Sequence, residues 1–469
     1  MMYFRLLALG MAIYANQAQA YDLFDAWQGA LTHDPQFAAS KAGAEAGKTK
    51  IQQAQALKSP QVTLNAGVAG VSNDNKITDA QFSNAQFAGA SSGSNGTTNF
   101  RTKTNGGLDL NMNLRAEYPL YDATRNSSAT QLNKQAELAE VQLSGDEQQL
   151  MLRVAQAYFD ALLAQDSLAT LNSQQVAITE ALASAKERFK EGDVAIIDTH
   201  ETQARYDMLA SQVLEAAGNL QLVLAALGDM TGEDIAANNK VILALLPPKV
   251  DLQHFSGGDL QSWINRAQMN HPQVHIQQLQ QDIAQAEIGK HQGSLSPIVN
   301  LVALAGGERL QGLDSHDASL TNRQVSLGLQ LTIPLYSGGM RDARYQEAVA
   351  LQDKARNQTE VAKQQVAHQA RSAWMALNVG QGQVKALEQA EHSAEVKLDS
   401  TRLGRDVGDR TMLDVLNSEQ ELNNTRLALS RSRYQVLLAL LNLSASAGEL
   451  NEARLKEINQ QLNSKAVQK

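Results

Sequence analysis

The chain has 469 residues, with 40 Lys or Arg against 49 Asp or Glu, a net charge of −9 at pH 7. The acid surplus argues against nucleic acid as a partner, and the lack of cysteine excludes a disulfide framework and thiolate metal sites. Aromatics make up only 5%, and the abundance of Ala, Gln, Leu and Asn suits long, closely packed helices better than a compact globular core.

Residues 1–20 read as a secretory signal. Arg5 supplies the charge, Leu6 to Ala15 the apolar run, and Ala18-Gln19-Ala20 a small-x-small cleavage site before Tyr21. Without Arg5 the balance is 39 against 49, a charge of about −10. No later stretch of about 18 apolar residues predicts a membrane-spanning helix. A helical segment of about 36 residues, 22–57, leads into an alternating run at Val62, Leu64, Ala66 and Val68. Residues 72–106, rich in Ser, Asn, Gly, Thr and Gln, form a polar connection. From Leu108 to Tyr118 every even position is apolar and nearly every odd one polar, and Tyr118-Pro119-Leu120-Tyr121 ends the run. Strands of about ten residues with this period match a membrane β-strand, one face to lipid and one to a wet lumen. Asp109, Arg115 and Glu117 on the polar face favour that over a soluble sheet. So does the cluster of Tyr118, Tyr121 and Tyr336 at one end, with Pro119 and Pro334 beside it, which is the place of an interfacial girdle.

A helix of about 70 residues, roughly 105 Å, follows Tyr121. Leu150, Val154, Ala157, Ala161, Ala164, Leu168 and Leu171 form a heptad seam that Ile178, Leu182, Ala185 and Phe189 resume, with Gln175 the one miss. Gly192-Asp193 interrupts it, and 193–228 returns over about 36 residues, roughly 54 Å. The pattern then repeats: a lead-in at 259–294, an alternating run from Val299 to Ala305, a polar connection at 308–323, a run from Val325 to Leu335 ending in Ile333-Pro334-Leu335-Tyr336, a long helix at 337–407, a break at Gly408-Asp409 and a return at 409–444. Pro35 precedes Pro60 by about the same 25 residues that separate Pro272 from Pro297, as a duplicated unit requires. The expected division is a signal peptide at 1–20, a first repeat at 21–228, an equatorial linker at 229–258, a second repeat at 259–446 and a C-terminal equatorial segment at 447–469. Four strands cannot close a barrel, and an open edge cannot sit in lipid. Three copies sharing one barrel would supply about twelve strands.

The duplicated Tyr-Pro-Leu-Tyr and Ile-Pro-Leu-Tyr motifs, Ala157-Tyr158-Phe159-Asp160-Ala161-Leu162, the stretch from Gly192 through Asp207, and Gly408-Asp409-Arg410-Thr411-Met412-Leu413-Asp414-Val415-Leu416 make the chain resemble the TolC family of outer-membrane efflux and secretion ducts. The resemblance implies a membrane β-barrel continued by an α-helical barrel, each protomer a tandem duplication, closed only as a homotrimer. It implies an outer-membrane channel whose helical part projects into the periplasm. Its partners would be a periplasmic adaptor (membrane fusion) protein and an inner-membrane ABC or proton-driven pump. No cofactor or metal and no enzymatic activity is implied. Residues 197–207 look most like the members serving type I protein secretion. Multidrug or small-molecule efflux is the alternative, and a structural coiled-coil surface protein the reading from another class.

In the family the helix tips form a gate. Arg410 falls where an arginine bonds the neighbouring hairpin, Asp198 matches its acidic partner, and Asp414 matches the first of two acids ringing the closed pore. The second acid position is Asn417, and Arg405 stands where many members have tyrosine. Gly192, Asp193, Val194, Gly408 and Asp409 would face the adaptor. Taken alone, Asp198 and Asp414 also suit the first turns of returning helices, Arg410 suits a solvated surface, and the glycines suit helix ends. His271 and His275, spaced i,i+4, lack an evident third metal ligand and suit a solvated helix face. No nucleophile elbow, phosphate loop or zinc signature occurs.

Overall fold

The computed structural model describes residues 21–81, 97–192, 195–235, 243, 259–312 and 320–462. The signal segment, Asp193, Val194 and most of the 229–258 linker lie outside them. In chain order the elements are α1 (Leu23–His33), α2 (Pro35–Ala56), β1 (Gln61–Gln81), β2 (Thr97–Tyr121), α3 (Ala123–Glu191), α4 (Ile196–Thr231), α5 (Leu260–Asn270), α6 (Pro272–Gly293), β3 (Ile298–Gly312), β4 (Leu320–Thr332), α7 (Met340–Asp406), α8 (Met412–Ser446) and α9 (Glu452–Leu462). The order helix, helix, strand, strand, helix, helix thus occurs twice before α9. Two compact units are formed: residues 48–136 with 280–355, and the remainder.

The first unit holds one antiparallel sheet in the order β1-β2-β3-β4. Its register places Val62, Ala116, Ala303 and Leu327 in one cross-strand row and Leu64, Leu114, Ala305 and Val325 in the next. Tyr118, Leu301 and Leu329 form another. These rows make one apolar face, and it is uncovered: Val325 is 85% exposed. The opposite face is largely polar, with Val302 and Leu304 of β3 beside Glu117 and Arg115. There Asn300 Nδ2 donates to Glu117 Oε1 at 2.6 Å, and Arg115 Nη2 donates to Glu117 Oε2 at 3.2 Å and Gln330 Oε1 at 3.3 Å. Among the described residues β1 and β4 each lack a partner on one side, leaving a row of backbone donors and acceptors that hydrocarbon cannot satisfy.

The sequence underestimates the strands. β1 has 21 residues and β2 has 25, so much of 72–106 is strand rather than connection. Polar residues there extend a ladder without extending the apolar pattern. The paired Pro motifs also diverge. β2 runs past Pro119 to Tyr121, which pairs with Val299, whereas β4 stops at Thr332, so Ile333 and Leu335 fall beyond it. The register of β2 shifts between Pro119 and Tyr121, and this irregularity lets the central strand pass the proline, which has no N–H for the ladder. Within the same unit Gly289 and Gly293 bring α6 against α3. A Cβ at Gly293 would stand 3.0 Å from Ala123.

In the helical unit each lead-in is two helices rather than one. Asp34 and His271 take extended backbone before Pro35 and Pro272, as the residue preceding proline prefers. Asp34 is buried, accepts from the Phe37 N–H at 2.6 Å and meets Arg153 Nη2 at 3.1 Å, which satisfies its charge. α1 begins with a reciprocal cap between Asp22 and Asp25. It buries Leu23, Ala26, Trp27 and Ala30 in a core with Tyr158, Phe159 and Leu162 of α3, Leu437 and Leu440 of α8, and Leu455 and Ile458 of α9. The Tyr158 hydroxyl donates to the Tyr21 carbonyl at 2.9 Å. The Phe159 ring stacks on Tyr434 at 5.8 Å, whose hydroxyl donates to Asp166 Oδ2 at 3.0 Å. The heptad seam is therefore too narrow a description of α3. Leu150, Val154 and Ala161 are buried, but so are Met151, Ala155, Tyr158 and Phe159 beside them, while Phe189 is exposed. Here α3 is covered by several elements, and a single stripe describes only one neighbour.

Candidate functional site

The two hairpin tips belong to the helical unit. At the first, α3 ends at Glu191 and Gly192 takes φ +86°, with its N–H donating to the Phe189 carbonyl at 3.1 Å. Left-handed backbone of this kind favours glycine. α4 then begins after Ala195, whose side chain cannot cap it. Asp198, third in α4, is exposed, and its carbonyl accepts from Thr202 Oγ1 at 2.8 Å.

At the second tip α7 ends at Asp406 and Gly408 takes φ +85°. The N–H groups of Asp409 and Arg410 both donate to the Gly404 carbonyl, at 2.8 and 3.2 Å, closing the turn. The Arg410 side chain lies over Gly404, where a Cβ would stand 2.8 Å from its Cγ. Thr411 and Asp414 form a reciprocal cap. Asp414 Oδ2 accepts from the Thr411 N–H at 2.9 Å and hydroxyl at 2.8 Å, and the Asp414 N–H donates to Thr411 Oγ1 at 3.1 Å. Those bonds, from the backbone first and the hydroxyl next, hold the Asp414 carboxyl below the usual carboxylate range, with Arg410 adding to them.

Arg405 Nη2 meets Asp406 Oδ1 at 2.7 Å and Nη1 lies 3.5 Å from Met412 Sδ. Asn417 Oδ1 accepts from Arg205 Nη2 at 2.8 Å, joining α8 to α4. Among the described residues no hydrogen bond or ion pair joins Arg410 to Asp198 within the chain. The two expected partners are therefore not bonded to each other within one copy, and Arg205 makes a bond across to α8 instead. It is 212 positions from Asn417, so no local spacing signals it. Thr411 was legible, because Thr-x-x-Asp before a helix is a capping pattern. Beside Arg205, Ile178, Leu209 and Leu416 line a groove of about 280 Å³.

The hairpins differ in how they are zipped. α7 and α8 are joined by Arg433–Glu388 at 2.9 Å, Arg426–Glu391 at 3.0 Å, Arg426–Glu395 at 2.5 Å and Lys397–Glu421 at 2.5 Å. Between α3 and α4 the corresponding polar contact is Lys186 to Gln203 at 3.2 Å. α4 instead exposes Ile196, Ile197, Met208, Leu214 and Leu222, with Leu214 75% exposed.

In the strand-bearing unit Tyr118, Tyr121 and Tyr336 are exposed near the sheet end opposite the 82–96 and 313–319 connections, with Pro119 in β2 and Pro334 just after β4. His271 and His275 are both half-buried rather than solvated. His271 Nδ1 accepts from the Gln273 N–H at 3.0 Å, and burial, then His275, lowers its pKa.

The outer membrane efflux protein family model matches residues 26–233 and 263–449. Each block covers nearly all of one helix–strand–helix set, α1–α4 or α5–α8. The chain is 27% identical to Outer membrane protein TolC of Escherichia coli (strain K12), covering 98% of this chain and 88% of that protein. It is 27% identical to Proteases secretion protein PrtF of Dickeya chrysanthemi, covering 97% and 94%. Its fold is similar to the outer membrane protein VceC of Vibrio cholerae, with a TM-score of 0.69 at 19% identity over 91% and 96% of the two chains. With the family pattern matched in both halves and the sheet and hairpins in the order described, the chain belongs to the outer membrane efflux protein family.

Proposed function

We propose that this protein is the outer-membrane duct of a three-component export system, and that its cargo is protein, carried by type I secretion. Three copies close a barrel of about twelve strands, continued by a helical tunnel. The duct is passive and non-enzymatic, and its driving force comes from an inner-membrane pump through a periplasmic adaptor. The observation that carries this reading is a four-stranded sheet with both edges unpaired and one apolar face running through all four strands. The preference for protein cargo rests on the likeness of residues 197–207 to secretion members and on the full-length match to a protease secretion protein. In this reading residues 21–228 and 259–446 are the two repeats, with 229–258 and 447–469 forming an equatorial seam.

The tips are the gate. Arg410 of one copy meets Asp198 of the neighbouring copy, Asp414 rings the closed pore, and Asn417 and Arg405 replace the acid and tyrosine of other members. Gly192, Asp193, Val194, Gly408 and Asp409 present the adaptor-docking turns. Small-molecule efflux is the second reading, favoured by the description of the family itself. A deletion strain separates the two. Loss of a few large secreted proteins with normal resistance to dyes, detergents and antibiotics is expected. Hypersensitivity with an intact secretome would replace protein secretion by efflux.

A further inference from the structure

The apolar face of the sheet ends differently at its two ends. Toward the 313–319 connection, the β3 series Val299, Leu301, Ala303, Ala305 and Gly307 next reaches Arg309, and the β4 series Leu331 to Val325 next reaches Arg323. On β1 the same alternation passes Val68 and Gly70 to Asp74 and Lys76, which pair with Lys103 and Arg101 of β2. β2 changes register there, between Val71 and Asn73 of its partner, with Gly106 at φ +69°. The extra residue brings Lys103 and Arg101 to the lipid-facing side. Arg101 Nε and Nη2 donate to the two Asp74 carboxylate oxygens at 2.9 and 2.6 Å, which fixes both on one face.

Lys76, Arg101, Lys103, Arg309 and Arg323 are all exposed, and Asp74 is the one acid that accompanies them on this face as far as Lys76. Asp109 and Glu308, at the same height, alternate to the opposite face. At the other end the last rows are Tyr118, Leu301 and Leu329, then Tyr121, Val299 and Leu331, with no cation on that face among the described strand residues. Exclusion of charge from hydrocarbon would place polar residues at both ends, of either sign. Here one end is cationic and the other aromatic, in a chain whose net charge is −9.

We propose that this belt binds phosphate-bearing lipid head groups in the outer leaflet of the membrane. The inference rests on the outer-membrane reading. Arg309 and Arg323 stand where the apolar series of β3 and β4 end, in the rows that Val68 with Leu110 and Ala66 with Met112 occupy on β1 and β2, and guanidinium matches phosphate through paired N–H donors. The Leu and Val rows beside them offer an acyl chain its place, which a free anion would not use.

The test uses purified full-length protein in detergent micelles with bis-phosphorylated lipid A, read by native mass spectrometry. Arg309→Gln with Arg323→Gln should weaken retention about 25-fold, roughly fivefold per cation. The corresponding Lys pair should lose less, and Arg115→Gln, on the opposite face, should change nothing. Equal retention by the wild type and the Gln pair would overturn the proposal. So would displacement by inorganic phosphate at the concentration that displaces a deacylated glycolipid, which would make the belt a site for soluble anions. Planar-bilayer recordings on the same samples separate the two layers of the argument. Conducting channels that retain no lipid overturn the belt alone, whereas failure to form channels overturns the outer-membrane reading.

Discussion

Asp414 illustrates how one side chain serves both the tip's architecture and its proposed gate. Its carboxylate is spent on Thr411, so a substitution there changes the helix start as well as the pore. Thr411→Val should cost about 1 kcal/mol and speed hydrogen exchange over 412–416. Because the folded pKa of Asp414 is lowered, the cap is present above the unfolded value, about 3.9, and is lost as pH falls through the folded one. Exchange over 412–416 should therefore accelerate only in acid, and Asp414→Asn should abolish that pH step. Arg205→Ala removes the bond to Asn417, and Arg410→Ala removes the proposed latch between copies. Each should raise single-channel conductance of the purified protein, and unchanged conductance would exclude that residue from the gate. In the core, burial raises the Asp166 pKa, opposed by bonds from Tyr434 and Ser430. Stability from this group is present below its unfolded pKa and lost as pH rises through the raised folded value. Asp166→Asn keeps an acceptor for Tyr434 and should raise the thermal midpoint at neutral pH. Tyr434→Phe should lower stability by roughly 1–3 kcal/mol. The acid at position 414 and its cap were readable from four consecutive residues. The Arg205–Asn417 and Tyr434–Asp166 bonds were not, because each joins residues more than two hundred positions apart.

At the scale of elements, the two hairpins follow one pattern in sequence and differ in what holds them. The α7–α8 pair is zipped by ion pairs on half-exposed side chains, each worth only about 0–1 kcal/mol and screened by salt. Arg426 meets two acids, Glu391 and Glu395, so Arg426→Ala should open this pair most. Hydrogen exchange over 385–430 should rise in the variant, and high salt should produce a similar rise in the wild type. The α3–α4 pair, with an apolar and largely uncovered α4, should respond little to salt. Helix lengths were legible because long proline-free stretches bounded by glycine leave few alternatives. The break between α1 and α2 was missed although Pro35 is visible, because a helix tolerates proline in its first turn and the helical pattern continues on both sides. Strand lengths were missed because β1 and β2 extend beyond their apolar alternation into residues chosen for water.

At the scale of the whole molecule, the duct depends on closure. A sheet with an apolar face and two unpaired edges is unstable both in water and in lipid unless copies of itself supply the missing neighbours. This was the part most legible in sequence, since alternation and strand count depend on period and not on long-range contacts. The conclusion that β1 of one copy pairs with β4 of the next follows from the strand order. The chain has no cysteine, which makes a direct measurement clean. Leu64→Cys, combined in turn with cysteine at Val325, Leu327 or Leu329, should under mild oxidation give covalent dimers and trimers on a denaturing gel. Nothing larger should form, and at least one pairing should be efficient. A product that stays monomeric at every pairing, or that extends beyond three copies, would contradict the closed trimeric duct.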